Sequence, residues 1–196
     1  MIRIGITGGL GSGKSVVARI LQAYGVPVYI ADERSKQLTE TSQDIREGLT
    51  QLFGEGLYKE GQLDKKQLAA YIFNDQQALK AVNAIIHPVV NKDFHAWAEA
   101  QQTHLCAIES AILFESGFNK SVDLSLMVYA PLELRIQRGL VRDAVSREAL
   151  LARIEKQMPD EEKKQLSDYT IYNDNQQALI PQVKQFLETI SKRDRA

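Results

Sequence analysis

Residues 8 to 15 read GGLGSGKS, and they confine the fold more than any other stretch of the chain. The apolar, β-branched run Ile2-Arg3-Ile4-Gly5-Ile6-Thr7 precedes them, and Val16-Val17-Ala18-Arg19-Ile20-Leu21 follows. By composition and spacing the first is a buried parallel strand and the second a helix. Gly8, Gly13, Lys14 and Ser15 then satisfy G-x-x-x-x-G-K-[ST] in the strand–loop–helix context that this pattern requires. The chemistry needs each residue type. Gly8, Gly9, Gly11 and Gly13 let backbone N–H groups close around phosphate oxygens with no Cβ in the way. The helix that begins near Gly13 points its positive dipole end at the same anion, which brings Ser12 and Val16 into the nucleotide-binding set. Lys14 can reach β- and γ-phosphates, and Ser15 can supply a hydroxyl to Mg2+. Without ligand, the Lys14 side chain is expected to face solvent. Chance supplies ~0.007 such matches in a chain this long, so a phosphate-binding loop is the reading.

The elements around the loop extend it to a sheet. A helix to Tyr24 stops at Gly25, and Val26 to Ile30 forms a second strand that ends at Ala31-Asp32. Strand, helix and strand within 30 residues make a βαβ unit and a parallel sheet. From 33 to 102 no strand is expected. Asp64 can cap a helix to Phe73 that presents Leu68, Ala69, Ile72 and Phe73 on one face. Asp75 can cap a second helix to Ile86, His87-Pro88 breaks it, and Pro88 opens a third, to Gln101. Phe53 to Tyr58 and Gly61 read as turns. Strands return at Leu105–Ile108, Asp123–Tyr129 and Tyr169–Tyr172. Pro131 opens a helix carrying Arg135, Arg138 and Arg142, Ser146 opens another to Gln157, and Gln176 to Ser191 closes the chain as an amphipathic helix. The Lys192-to-Arg195 tail is expected to fray.

Composition narrows the class. With 44% hydrophobic and 25% charged residues and a net charge of −1, the chain reads as an ordinary soluble globule with no general affinity for polyanions. Neither a nucleic acid nor a membrane is expected as partner, since no run of about 18 apolar residues occurs. The single cysteine, Cys106, excludes an internal disulfide, fits a reducing compartment and reads as an inert buried thiol. A cytoplasmic location is expected.

Three carboxylates fall at or just after strand ends, where ligands of open α/β sheets bind. Asp32 can take a proton from an attacking hydroxyl or reach Mg2+ through water; equally, it can be a helix N-cap. Glu109 can assist a metal or simply end a strand in solvent, and Glu115 reads as a surface charge. Arg135, Arg138 and Arg142 fall at i, i+3 and i+7, on one helix face: either a clamp for phosphoryl charge or a solvated basic face. Two helices joined by the short turn from Asp143 to Ser146 suit a mobile lid. His87, His95 and His104 show no metal-ligand spacing with the cysteine; His87 reads as structural or as a substrate contact.

A GTPase switch needs Asp-x-x-Gly, and no glycine here has Asp three residues before it. A motor ATPase brings a strand ending in Asp, whereas the third strand ends in Glu109. An inserted helical segment and an Arg-rich lid match what a small kinase requires, so the residues point to ATP-dependent phosphoryl transfer to a small acceptor. The expected fold is α/β. A parallel sheet of about five strands is flanked by helices, with a nucleotide-binding core at 1–32, 103–134 and 167–196. A helical acceptor-binding insertion spans 33–102 and a lid 135–166.

The chain also resembles a family. TGGLGSGKS at Thr7–Ser15, VPVYIAD at Val26–Asp32, Leu68–Phe73, VNAIIHP at Val82–Pro88, AILFE at Ala111–Glu115, the stretch Arg138–Arg147 and Tyr172-Asn173 together resemble dephospho-coenzyme A kinase over nearly the full length. The resemblance implies transfer of the ATP γ-phosphoryl to the ribose 3′-hydroxyl of dephospho-coenzyme A, with Mg2+, in the last step of coenzyme A formation. It implies Asp32 as base and Arg138 and Arg142 as phosphate contacts beside Lys14. Ile30 stands where the family commonly has Asp, Ala111 where it has proline, and Asn173-Asp174-Asn175 departs from its Asn-rich turn. A kinase for another small alcohol or nucleotide, and a non-catalytic nucleotide-sensing module, remain alternatives.

Overall fold

The computed structural model describes residues 1–73 and 75–193. Strand β1 (Ile2–Thr7) lies at the centre of a five-stranded sheet, between β5 (Leu105–Glu109) and β6 (Leu124–Tyr129). β2 (Val28–Ile30) and β7 (Tyr169–Tyr172) form the edges, giving the order β2-β5-β1-β6-β7. β1 runs parallel to β5 and β6, and β6 to β7. A central strand covered on both faces must be apolar throughout, and Ile4 and Ile6 are fully buried. Helix α1 (Lys14–Ala23) adds Val17, Ala18 and Leu21 to that core; α9 (Leu179–Arg193) adds Val183, Phe186 and Ile190. Each such side chain contributes about 1.5–3 kcal/mol by leaving water. Cys106, the second residue of β5, is fully buried and forms no disulfide. Of the tail expected to fray, Lys192 and Arg193 belong to α9, while Asp194 and Arg195 lie outside the described residues.

Contacts divide the chain into two compact units. One comprises Met1–Tyr29 with everything from Gln101 onward, the other Ile30–Ala100. The second unit holds α2 (Ala31–Thr41), α3 (Gln43–Phe53), α4 (Lys65–Phe73) and α5 (Gln76–Glu99). The caps expected from sequence are present: the Asp64 carboxylate accepts the Gln67 N–H at 3.0 Å, and Asp75 accepts those of Gln77 and Ala78 at 2.8 and 2.9 Å.

Three expectations for this unit are corrected. His87-Pro88 does not break the helix: α5 runs through Pro88 for 24 residues. Proline forfeits one backbone bond, but Val82, Ile86, Val90, Phe94 and Ala98 recur every four residues and are all buried, so packing of a single stripe holds both halves in register. Second, the segment is not free of strands. β3 (Tyr58–Lys59) and β4 (Gln62–Leu63) pair antiparallel around Glu60-Gly61, both at positive φ. Two-residue strands carry no readable periodicity. Third, Phe73 is 71% exposed and leaves Leu68 as the buried anchor of α4.

Candidate active site

The loop between β1 and α1 is folded as an anion cradle. Gly13 is the N-cap of α1 at φ 93°, a left-handed conformation that a side chain would strain, and a Cβ there would collide with the Asn173 carboxamide. Gly11, at φ 82°, lies against the Arg135 backbone carbonyl with no room for a Cβ. A Cβ on Gly9 would strike the Arg135 guanidinium. The Ser12 N–H turns back onto the Gly9 carbonyl at 3.1 Å, and those of Val16 and Val17 onto Gly13 at 3.0 and 3.2 Å. The N–H groups of Lys14 and Ser15 open α1 and have no intrahelical acceptor. Among the described residues no side chain caps this end. Two hydroxyls beside the cradle, Thr7 Oγ1 and Ser12 Oγ, are fully buried without a hydrogen-bond partner among the described residues.

Lys14 does not face solvent. It is half-buried, and its ammonium donates to the carbonyls of Gly8 at 2.8 Å and Gly9 at 3.3 Å. A lysine beside a ring of peptide oxygens finds acceptors there at little entropic cost. Ser15 and Val16 are exposed. Among the described residues no group of three or more His, Cys, Asp or Glu could cage a metal. The donor set, one exposed serine hydroxyl beside a phosphate cradle, fits a Mg2+ ion shared with a nucleotide.

The three arginines, on helix α6 (Leu132–Asp143), have three different surroundings. Arg135 is buried behind the loop and paired with Asp160 at the start of α8 (Asp160–Leu166). Arg138 donates to the Asn173 carbonyl at 3.1 Å, to its side-chain oxygen at 3.3 Å and to Asn175 Oδ1 at 2.8 Å. Arg142, its side chain 61% exposed, forks onto Asp143 at 2.6 and 3.0 Å. That pairing raises the Arg142 pKa and holds the Asp143 carboxyl below its ordinary range. One shared face therefore splits into a buried anchor, a loop contact and an exposed pair. Ala144 follows in the left-handed region, and the Ser146 hydroxyl caps α7 (Arg147–Ile154) through the Ala149 N–H at 3.2 Å. Between α6, α7 and α8 lies a cavity of about 490 Å³ lined by Tyr129, Leu132, Ile154 and Met158. Glu161, hydrogen-bonded to the Tyr129 hydroxyl there, pushes that phenol above its ordinary value.

The carboxylates also separate. Glu109 pairs in register with Ile6, level with the root of the loop. Glu115 is no idle surface charge. Its Oε1 accepts the Met158 N–H at 2.9 Å and lies 2.9 Å from the ammonium of Lys163. Asp32 is exposed and is not an N-cap. β2 runs into α2 without a loop, so the cap position falls on Ile30, which has no side-chain acceptor, and Asp32 lies inside the first turn. Beyond it, Arg34 forks onto Asp93 of α5 at 2.7 and 3.0 Å, which ties α2 to that helix. His87, half-buried on α5, has its pKa pushed down by burial.

Sequence reasoning missed Gln157, Asp160, Lys163 and the role of Asn173. Asp160 and Lys163 lie in the charge-rich stretch Pro159-Asp160-Glu161-Glu162-Lys163-Lys164, in which Lys163 is nonetheless fully buried. Asn173 donates from Nδ2 to the Ser12 carbonyl at 2.8 Å, across 161 residues. Its position directly after the last strand, and its place in the Tyr172-Asn173 stretch, are the signals that mark it.

Comparisons with known proteins agree with this geometry. The family model described as dephospho-CoA kinase matches residues 2–178. A dephospho-CoA kinase of Bacteroides fragilis is 47% identical over 187 residues, 95% of this chain and 91% of the relative. A crystal structure of TT1252 from Thermus thermophilus superposes with a TM-score of 0.82 at 35% identity, covering 98% of this chain and 97% of that one. The structure of dephospho-CoA kinase from Campylobacter jejuni gives 0.69 at 27% identity, with 98% of each chain covered. The chain belongs to the dephospho-CoA kinase family, and its reaction is the ATP-dependent phosphorylation of an alcohol that completes coenzyme A.

Proposed function

We propose that the cradle at residues 8–15 holds the ATP phosphates, that Lys14, Arg138 and Arg142 stabilise the transferring group, and that Asp32 takes the proton of the acceptor hydroxyl. The observation that carries this reading is the hold of two loop carbonyls, Gly8 and Gly9, on the Lys14 ammonium. Phosphate oxygens carry more negative charge than peptide carbonyls and exchange for them, which leaves the ammonium on the β- and γ-phosphates. The N–H groups of Gly9, Gly11, Gly13, Lys14 and Ser15 complete the cradle, while those of Ser12 and Val16, turned onto the Gly9 and Gly13 carbonyls, hold its shape. Ser15 would hold Mg2+, which when bound draws charge from the phosphates.

Transfer forms one P–O bond, from the ribose 3′-oxygen of dephospho-coenzyme A to the γ-phosphorus, and breaks the bond to ADP. The hydroxyl proton passes to the Asp32 carboxylate. Phosphoryl transfer is largely dissociative, so Asp32 acts as much by orienting the hydroxyl as by basicity. Its support is its place: an exposed carboxylate directly after β2, opening the helical unit assigned here to the acceptor. Arg142, exposed and paired with neighbouring Asp143, can exchange that partner for phosphate as residues 135–166 close as a lid. The core comprises 1–32, 103–134 and 167–196, the acceptor unit 33–102. The reading is of a cytoplasmic protein, which the free buried thiol of Cys106 supports. No helix among the described residues is long and apolar enough to cross a membrane.

Incubation with Mg-ATP and a panel of acceptors tests the reading. ADP release and a mass gain of one phosphate on dephospho-coenzyme A are expected, abolished by excess chelator and weakened in Ser15→Ala. Equal turnover of other alcohols or nucleotides would reassign the acceptor. Nucleotide binding with no transfer would leave a sensing module.

A further inference from the structure

The short segment from Gln157 to Lys163 lies at the far end of the span 135–166, yet it is fixed to three parts of the nucleotide-binding unit. At its start the Gln157 side-chain oxygen accepts the N–H of Leu10, the crest of the phosphate loop, at 3.1 Å. In its middle Asp160 pairs with Arg135, which packs behind Gly9 and Gly11. At its end Lys163, fully buried, donates to the Ala111 carbonyl at 2.6 Å and pairs with Glu115 at 2.9 Å. Glu115 returns a bond to the segment by accepting the Met158 N–H. The turn that holds Lys163 is itself fixed to β1: the Ser110 N–H donates to the Ile6 carbonyl at 2.9 Å, and fully buried Leu113 fills the space over Gly5.

We propose that this segment is a strap that positions the phosphate loop, with Lys163 its anchor on β1 and Gln157 its contact on the crest. The proposal rests on the reading of residues 8–15 as the ATP site. Four glycines in six residues make the loop costly to order, so its shape must be imposed from outside. Gln157 takes the Leu10 N–H away from the cradle and fixes which way the crest turns. A buried ammonium is a poor way merely to attach a helix, because an aliphatic side chain of similar size does so without desolvating a charge. What the Lys163–Glu115 pair adds is a defined position, referred to the strand on which the loop is rooted. Preorganised donors are what phosphoryl transfer requires of the loop, and small displacements of them cost rate. Gln157 and Lys163 are positioning residues.

The test measures kcat and the two KM values for the unaltered chain, Gln157→Ala, Glu115→Gln, Lys163→Met and the Gln157→Ala/Glu115→Gln double variant, each beside a melting curve. Every single variant is expected to lose about 10-fold or more in kcat, within the ~10²-fold span of a misplaced group, with the dephospho-coenzyme A KM near its unaltered value. Because the strap acts as one unit, the double variant should fall no further than the worse single. A lowered melting temperature with unchanged kcat well below it, or losses that simply add, would overturn the proposal. If Lys163→Met does not fold, Glu115→Gln and Gln157→Ala decide alone, since both keep an acceptor on the buried ammonium. An unaltered chain without transfer fails the kinase reading and the strap with it. An active chain with indifferent variants fails the strap alone.

Discussion

Asn173 stands between Arg138 and Ser12: its side-chain oxygen accepts from the arginine at 3.3 Å while its nitrogen donates to the serine carbonyl at 2.8 Å. Whereas Arg135 packs against the phosphate loop directly, Arg138 thus reaches it through one carboxamide. Arg142, four residues on, has no such link and pairs with Asp143 at the surface. The two arginines should therefore fail differently. Arg142→Ala is expected to lower kcat by ~10-fold or more at nearly unchanged ATP affinity, because the contact strengthens in the transition state. Its melting temperature should hardly move, since an exposed pair contributes ~0–1 kcal/mol. Arg138→Ala should lower kcat and also weaken ATP binding, because Asn173 loses its support. Wild-type kcat in both would reduce the arginines to a solvated face.

Lys14→Ala should abolish transfer while the fold survives. The ammonium is half-buried and donates to two loop carbonyls, so the stability change is expected near 1 kcal/mol per net bond lost. ADP release and a melting curve on the same preparation check both halves. Normal turnover would remove Lys14 from the catalytic set.

Asp32→Asn separates a base from a helix-dipole partner. As a base, Asp32 predicts a kcat loss of ~10²-fold or more with both substrates still bound. As a first-turn carboxylate alone, it predicts a stability loss of about 0.3–1 kcal/mol and normal kcat. Steady-state kinetics beside thermal unfolding distinguishes the two.

His87 sets a pH dependence. Burial lowers its folded-state pKa below the ordinary 6.5, so the unfolded chain binds the proton more readily. The stability this contributes is fully present above about 6.5 and is lost as pH falls toward the depressed folded value. His87→Gln should flatten that part of the profile. A melting temperature with the same slope from pH 7 to 5 in both proteins would show that His87 is not its source.

The sheet was legible because each strand is apolar and bounded by a turn or cap signal, and Gly25, Asp64, Asp75 and Ser146 perform the local tasks their residue types suggest. Pro88 misled because a local rule about one missing N–H was set against a tertiary fact, the buried stripe from Val82 to Ala98. The loop residues Gly8 to Ser15 could be named because their chemistry is local to eight positions. The supports around them could not. Lys163 meets Glu115 across 48 residues and Ala111 across 52, and Asn173 meets Ser12 across 161. Nothing in a charge run or an Asn-rich turn states which distant partner the fold will deliver.

Cys106 gives the molecule a built-in reporter. Its thiol is fully enclosed in β5, one strand from the edge, and burial pushes its pKa up, so the reactive thiolate is scarce for two reasons at once. Alkylating reagents can reach it only when the strands around it part. The labelling rate under native conditions then counts those openings directly, without denaturant and without an added probe. Comparing that rate with and without bound nucleotide would reveal how much of the sheet's mechanical integrity depends on the occupant of the loop that follows its central strand.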